Sequence, residues 1–279
     1  MKGLCLSGGG IKAAAHIGAI KALEEKNIKF DAVAGTSSGS IIATLYALGY
    51  SSDEMIYIFK QYSKNMKQAE IRKIIKLIYG LIFKREIIID GLNSGKFIEK
   101  ALEQICKENN IKYINEIKMP LIIPAVDLQT GTLIVASSKQ IRKTYSDEIK
   151  YVNEIPITIA VRASCSYPAV IAPCIYENRQ LVDGGIRENM PWKELREIGA
   201  DEILGIGFET LLEGECCKNM IESAIRSIEL VCHELSNYEL EGIDNLVKIP
   251  TKKISLLDAS KIDELYELGY KTMKRKIST

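Results

Sequence analysis

The segment GTSSGS carries the pattern Gly35-x-Ser37-x-Gly39. This spacing is typical of a nucleophile elbow, a tight strand-to-helix turn that holds a serine in a strained backbone conformation. Small residues are needed two positions before and two positions after the serine, because neighbouring segments come close there. Such a serine attacks an ester carbonyl once a base removes its proton. The structural alternative is a serine that only caps the following helix.

The base for Ser37 is the open question, because the 279 residues include only two histidines. His16 lies in the first expected helix, where it suits a packing role with a hydrogen bond to a nearby loop. The order Ser37, Asp183, His233 is that of a hydrolase triad, but His233 lies inside a helical pattern and suits a solvated or capping side chain. Asp183 ends a short expected strand in LVDGG. It is either a turn former or, if desolvated, a general base.

A glycine-rich loop, Gly8-Gly9-Gly10, follows the first expected strand. Its spacing matches a degenerate dinucleotide-binding fingerprint, but the acidic residue that should end the second strand is missing, since Asp31 begins that strand. No Gly-Lys-Ser/Thr follows, so the loop is not a P-loop. Backbone N–H groups of the same loop can hold the oxyanion that forms when an ester is attacked. A turn that merely tightens the strand–helix junction is the structural alternative.

The elements that must position these residues alternate between strand and helix at the start of the chain. Strands are expected at 2–7 and 30–35, and helices at 11–26 and 38–48. Further strands are expected at 119–128, 131–138, 179–185, 201–208 and 245–250, and further helices up to about 109 and at 156–163, 215–240 and 260–276. This order predicts an α/β fold with a mainly parallel sheet covered by helices. No repeat or linker divides the chain, so one domain over 1–279 is expected.

The composition bounds the classes of function. Hydrophobic residues are 47% and charged residues 26%, with a formal net charge of +1, so no strong field favours nucleic acid. No apolar run is long enough to span a bilayer, and the first residues do not have the pattern of a signal peptide. Seven cysteines without C-x-x-C pairs predict reduced thiols, no zinc site and a cytoplasmic protein.

Taken together, the motifs resemble those of the patatin-like phospholipases. That family combines a Gly-Gly-Gly-x-Lys/Arg-Gly loop, a G-x-S-x-G elbow and an Asp-Gly-Gly/Ala motif, in that order. The matching residues here are Gly8-Gly9-Gly10-Ile11-Lys12-Ala13, Gly35-Thr36-Ser37-Ser38-Gly39 and Asp183-Gly184-Gly185. The stretch AVRASCSYPAVIAP resembles the Ala-Ser-x-x-x-Pro block before the aspartate, and GLNSG at 91–95 resembles a Gly-Leu segment. Ala13 stands where the family has glycine.

The resemblance implies a three-layer α/β/α sandwich related to the catalytic domain of cytosolic phospholipase A2. It implies a dyad, with no metal or cofactor, in which Ser37 attacks an acyl ester and Asp183 takes its proton and later activates water. The N–H groups of Gly8, Gly9, Gly10 and Ile11 would hold the oxyanion. Lys12 would fix the loop or meet an anionic head group.

The resemblance implies phospholipids or other lipid esters as substrates. A general esterase, a lysophospholipase or a thioesterase would use the same machinery. The alternative of another class is a non-catalytic module that binds a nucleotide or an acyl ligand and retains only the glycine loop.

The segment 71–89 is both apolar and basic, with a helical stripe of five isoleucines (Ile71, Ile74, Ile75, Ile78, Ile82). One interpretation is a surface helix packed on the core. The other is an interfacial or lid segment that gives peripheral contact with a membrane. The sequence does not predict an oligomeric state.

Overall fold

The computed structural model describes residues 1–63, 93–141, 148–209, 216–218, 220–251, 254–256 and 258–278. The segment 71–89 and the first two residues of GLNSG lie outside the described residues. None of the helices in the described part is both long and apolar enough to cross a membrane.

Nine strands of the described part form one sheet. They are β1 (Lys2–Leu6), β2 (Ala32–Gly35), β3 (Leu121–Asp127), β4 (Leu133–Ser137), β5 (Ile149–Val152), β6 (Cys174–Tyr176), β7 (Arg179–Asp183), β8 (Glu202–Phe208) and β9 (Asn245–Ile249). The main order is β5-β4-β3-β2-β1-β8-β9. The run from β3 through β2, β1 and β8 to β9 is parallel, as is the β4–β5 pair. The β3–β4, β3–β7 and β6–β7 pairs are antiparallel, so the sheet is mixed and mainly parallel.

The pairing of β3 brings two distant segments of the chain together. On one side of β3, β2 pairs with the first two residues of β3, and Ala34 lies opposite Ile122. Further along the same strand β7 pairs with β3, and Asp183 lies opposite Ala125. Because β2 ends at Gly35, β7 continues the sheet beside β3 at the point where the chain turns into the elbow.

Helices cover both faces of the sheet. They are α1 (Ala13–Glu25), α2 (Ser38–Ala47), α3 (52–63), α4 (Lys96–Glu108), α5 (Ile157–Ser164), α6 (Trp192–Glu197), α7 (Met220–Glu239) and α8 (Ile262–Lys276). Alternate residues of a strand point to opposite faces. Leu4 and Leu6 of β1 accordingly pack in the larger core with α1, α2 and α8. Cys5 packs on the other face with Trp192 and Leu195 of α6. The expected three-layer α/β/α arrangement is therefore confirmed.

Candidate active site

Ser37 links β2 to α2 in a conformation that side chains rarely adopt, with φ 52° and ψ −129°. A non-glycine residue in this region costs about 1–3 kcal/mol and persists only where its surroundings enforce it. A Cβ added to Gly35 would lie 2.4 Å from the carbonyl oxygen of Gly39, and one added to Gly39 would lie 2.5 Å from that of Ser7. Both flanking positions therefore require glycine, as a nucleophile elbow does.

Hydrogen bonds hold the backbone of the elbow on both sides of Ser37. Its N–H donates to the hydroxyl of Ser164 at 2.9 Å, and Ser164 is fully buried at the end of α5. Its carbonyl accepts from the backbone N–H of Ser40 in the first turn of α2. The Ser37 side chain, in contrast, remains partly exposed at the start of that helix.

Asp183 is the last residue of β7 and is 2% exposed. Its N–H donates to the carbonyl of Ser166 at 3.0 Å, and its Oδ1 accepts from the N–H of Gly185 at 2.8 Å. A Cβ at Gly184 would lie 2.5 Å from the Pro124 carbonyl oxygen, so the chain turns here through close contact with β3. The two glycines let the backbone leave the strand while the carboxyl group stays behind.

Burial raises the pKa of Asp183 to about 7, against the opposing effects of the Ser37 hydroxyl and the Gly185 N–H. The Ser37 hydroxyl is thus close enough to act on this carboxyl group. Oδ2 itself has no partner at normal hydrogen-bond geometry within the described part. Catalytic hydrogen bonds are often long in the absence of substrate. Asp183 therefore has an unused acceptor oxygen and a pKa suited to proton transfer near neutral pH.

The four N–H groups of the glycine loop fall into two classes. The N–H of Gly8 donates to Oδ1 of Asn189 at 2.9 Å. The N–H of Ile11 donates to the carbonyl of Leu256, also at 2.9 Å. The N–H groups of Gly9 and Gly10 have no acceptor in the described part of the chain. Only these two of the four expected donors are therefore available to a ligand.

The glycine loop packs too closely for side chains. A Cβ on Gly8 would lie 3.0 Å from Cβ of Ser37, so the loop lies directly against the elbow. A Cβ on Gly9 would lie 2.5 Å from Cε2 of Phe208. Gly10 has φ 57°, and a Cβ there would lie 2.4 Å from the Leu256 carbonyl oxygen. Gly8 thus brings backbone, and not a side chain, next to Ser37, while Gly9 and Gly10 bring backbone against Phe208 and Leu256.

Lys12 lies at the end of this loop and is half-buried. Burial lowers its pKa, and the negative charge of Glu229 on α7 opposes that shift. Its ammonium group forms no ion pair or hydrogen bond with the part of the chain that the structure describes.

Neither histidine is hydrogen-bonded to Ser37 or Asp183. His16 is fully buried, donates from Nε2 to the Ser7 carbonyl at 2.9 Å and stacks 4.5 Å from the Phe208 ring. Burial lowers the pKa of His16 to about 4. The packing role expected for His16 is confirmed. His233 lies on α7, where its Nε2 is 3.5 Å from Nδ2 of Asn237.

Two positioning contacts were not assigned from the sequence. Ser164 belongs to the Ala-Ser-x-x-x-Pro block, so the sequence indicates that this position matters. It does not indicate that the Ser164 hydroxyl accepts from the Ser37 N–H. Asn189 follows the Asp183-Gly184-Gly185 motif and carried no signal of its own. Among the described residues, no group of three or more His, Cys, Asp or Glu side chains could hold a metal ion.

Comparisons with known proteins show the family to which this chain belongs. The model of the patatin-like phospholipase family matches residues 4–196, which is more than half of the chain. The uncharacterized protein YqhO of Bacillus subtilis is 32% identical over 192 residues, covering 66% of this chain and 63% of YqhO. Lysophospholipase NTE1 of Meyerozyma guilliermondii is 23% identical over 296 residues, covering 96% of this chain and 18% of NTE1.

Among solved structures, VipD from Legionella pneumophila is similar in fold, with a TM-score of 0.56 at 18% identity. The match covers 99% of this chain and 66% of VipD. The chain thus spans less than two thirds of the length of YqhO and a small part of NTE1.

Proposed function

Because the chain belongs to the patatin-like phospholipase family, we propose that it is a serine acyl hydrolase that cleaves lipid esters with Ser37 as nucleophile and Asp183 as base. The observation that carries this proposal is the buried Asp183 carboxyl group next to a strained serine. Its pKa of about 7, and an Oδ2 without a partner among the described residues, are properties that suit a general base.

In the first half of the reaction Asp183 accepts the hydroxyl proton of Ser37 while Oγ attacks the ester carbonyl carbon. The carbonyl oxygen becomes an oxyanion. When this intermediate collapses, the C–O bond to the alcohol breaks and Asp183 returns the proton to the leaving oxygen. Ser37 is left as an acyl ester.

In the second half Asp183 takes a proton from water, and the resulting hydroxide attacks the acyl group. Collapse of the second intermediate releases the fatty acid and returns the proton to Ser37. One carboxyl group thus serves as base and acid in turn, so the reaction requires no histidine.

The N–H groups of Gly9 and Gly10 are the oxyanion donors in this proposal. Their lack of an acceptor among the described residues supports that role, whereas the N–H groups of Gly8 and Ile11 are already bonded to Asn189 and Leu256. Removing one such donor costs on the order of a hundredfold in kcat in other hydrolases. We therefore propose a hole of two N–H groups in place of the four that the sequence predicts.

Phospholipids and lysophospholipids are the substrates we propose, in line with the family and with the name of NTE1. The ammonium of Lys12, which has no partner among the described residues, supports recognition of an anionic head group. A simple esterase or thioesterase would use the same dyad. Membrane contact through 71–89 remains a proposal that rests on the sequence pattern alone.

A fluorophosphonate that reacts with activated serines tests the proposal, with peptide mapping of the adduct. We expect labelling on Ser37, no labelling in Ser37→Ala, and release of fatty acid from phospholipid or lysophospholipid vesicles. Binding of ATP or a nicotinamide nucleotide without labelling of Ser37 would instead support the non-catalytic module.

A further inference from the structure

The Gly8 N–H is bonded within the protein, and its acceptor is a side chain far along the sequence. We infer that Asn189 is a positioning residue that sets the oxyanion loop against Ser37. We call the hydrogen bond between Asn189 and the Gly8 N–H the tether. The effect of the tether on catalysis rests on the function proposed above, whereas its effect on the loop does not.

The amide of Asn189 lies at the junction of three functional segments. Its Oδ1 accepts from Gly8 N–H at 2.9 Å. A Cβ added to Gly8 would lie 2.8 Å from that oxygen and 3.0 Å from Cβ of Ser37, so the amide packs beside the part of the loop that faces the elbow. A Cβ added to Gly185 would lie 3.4 Å from the same oxygen, which places the amide next to the turn that follows Asp183.

The backbone around Asn189 is fixed by contacts of its own. The N–H groups of Asn189 and Met190 donate to the two carboxylate oxygens of Glu239, at 3.0 and 2.7 Å. One residue earlier, the carbonyl of Glu188 accepts from the hydroxyl of Thr36 at 3.0 Å. The end of α7 and the elbow therefore hold segment 188–190 from two sides, so the Asn189 side chain extends from an immobilised backbone.

The loop is tied down on both sides of its unbonded donors. Asn189 holds Gly8, and the Leu256 carbonyl holds Ile11 at 2.9 Å. Only Gly9 and Gly10 lie between these two fixed points. Donors that are fixed before the reaction stabilise an oxyanion without reorganising, and this is the main source of their effect. Loss of the Asn189 bond should free the loop on one side and misalign both donors.

A carboxamide suits this position better than a carboxylate of the same shape. Both offer an oxygen to Gly8 N–H, but a carboxylate would bring a negative charge next to the developing oxyanion. Like charges that lie close together in a partly buried site repel more strongly than in water. Asn189→Leu therefore tests the loss of the tether, and Asn189→Asp tests the added negative charge with the tether kept.

Hydrogen exchange measured by mass spectrometry tests the tether directly. In folded Asn189→Leu, peptides covering 7–12 should exchange faster, by about tenfold or more because local opening becomes easier, while β1 stays protected. Asn189→Asp should exchange like the wild type. The matched control is Arg187→Gln. The guanidinium group of Arg187 contacts Gly131 and Glu148 and not the glycine loop. Unchanged loop exchange in folded Asn189→Leu would overturn the inference, even if the wild type proves inactive.

Kinetics on a soluble p-nitrophenyl ester test the catalytic consequence. Asn189→Leu should lose roughly 10- to 100-fold in kcat with little change in KM, and should keep the wild-type pH profile. In Asn189→Asp, kcat should fall relative to the wild type as the new carboxyl group ionises with rising pH. If loop exchange increases but kcat does not fall, the positioning role is overturned. If the wild type lacks esterase activity and Ser37 is not labelled, the proposed function fails separately.

Discussion

Ser37 and Ser164 are joined by a 2.9 Å hydrogen bond from the backbone N–H of the first to the hydroxyl of the second. Two residues further on, the carbonyl of Ser166 accepts from the N–H of Asp183 at 3.0 Å. The short stretch 164–166 therefore contacts both proposed catalytic residues, although Ser37 follows β2 and Asp183 ends β7. A single segment thus fixes the spacing between the proposed nucleophile and the proposed base.

Ser164→Ala removes the hydroxyl that accepts from the N–H of the strained Ser37. A buried donor left without a partner costs about 1–3 kcal/mol. We expect a comparable loss in the free energy of unfolding and a fall of roughly tenfold or more in kcat, because the elbow loses its orientation. Urea unfolding and ester kinetics measure both. A variant with wild-type stability and turnover would show that this bond does not position Ser37.

The pH dependence of kcat/KM should report Asp183. The base must be ionised in the free enzyme, and its pKa of about 7 places half-maximal activity near that pH, with activity falling below it. An imidazole can titrate in the same range, so the midpoint alone does not identify the group. The limb should persist in His16→Gln and in His233→Ala. Loss of the limb in either variant would assign it to that histidine.

Asp183 should lower the stability of the fold as the pH rises. Its folded pKa of about 7 lies above the value of 3.8 for an unperturbed aspartate. The fold is therefore unaffected by this group below about pH 4 and loses stability up to about pH 7, by at most about 4 kcal/mol at 1.36 kcal/mol per unit. Asp183→Asn cannot ionise. Its gain in stability over the wild type should be small at pH 4 and largest above pH 7, and thermal unfolding measured across this pH range tests this. If burial did not raise the pKa of Asp183, the difference in stability between the two proteins would be the same at every pH.

Much of the fold could be predicted from local patterns. The alternation of β1, α1, β2 and α2, the strands β3 and β4, and the end of β7 at Asp183 follow from apolar runs and glycine motifs, as does the end of β2 shortly before Ser37. Strands β5 and β6 were missed. β5 is only partly buried, and β6 has three residues before a turn in which Glu177 and Asn178 both have positive φ. Neither has the apolar alternation that marks a half-buried strand.

The site was less predictable than its motifs. Gly8 and Ile11 were expected to be oxyanion donors, because nothing in the loop shows that their N–H groups are already bonded. The acceptors, Asn189 and Leu256, lie far along the chain. A short motif identifies which backbone groups can donate, but only tertiary contacts decide which of them are free.

Gly9→Ala tests the oxyanion loop. The added Cβ would meet the Phe208 ring at 2.5 Å, so the ring or the loop must move, and ester turnover should fall by roughly a hundredfold or more. A matched control is Gly207→Ala, where the nearest atom, Sδ of Met190, would be 3.5 Å away in ordinary contact. The double variant with Phe208→Ala should regain part of the lost turnover. Unchanged turnover in a folded Gly9→Ala protein would mean that this loop does not hold the oxyanion.

The proposed base for Ser37 is Asp183 and no histidine. This assignment is tested by comparing kcat/KM of folded Ser37→Ala, Asp183→Asn, His16→Gln and His233→Ala on one soluble ester at pH 8. We expect Asp183→Asn to be as inactive as Ser37→Ala, because an amide of the same size cannot accept the proton, and both histidine variants to retain most of the activity. If His233→Ala were as inactive as Ser37→Ala while folded, Asp183 would only orient that histidine and the dyad would be wrong.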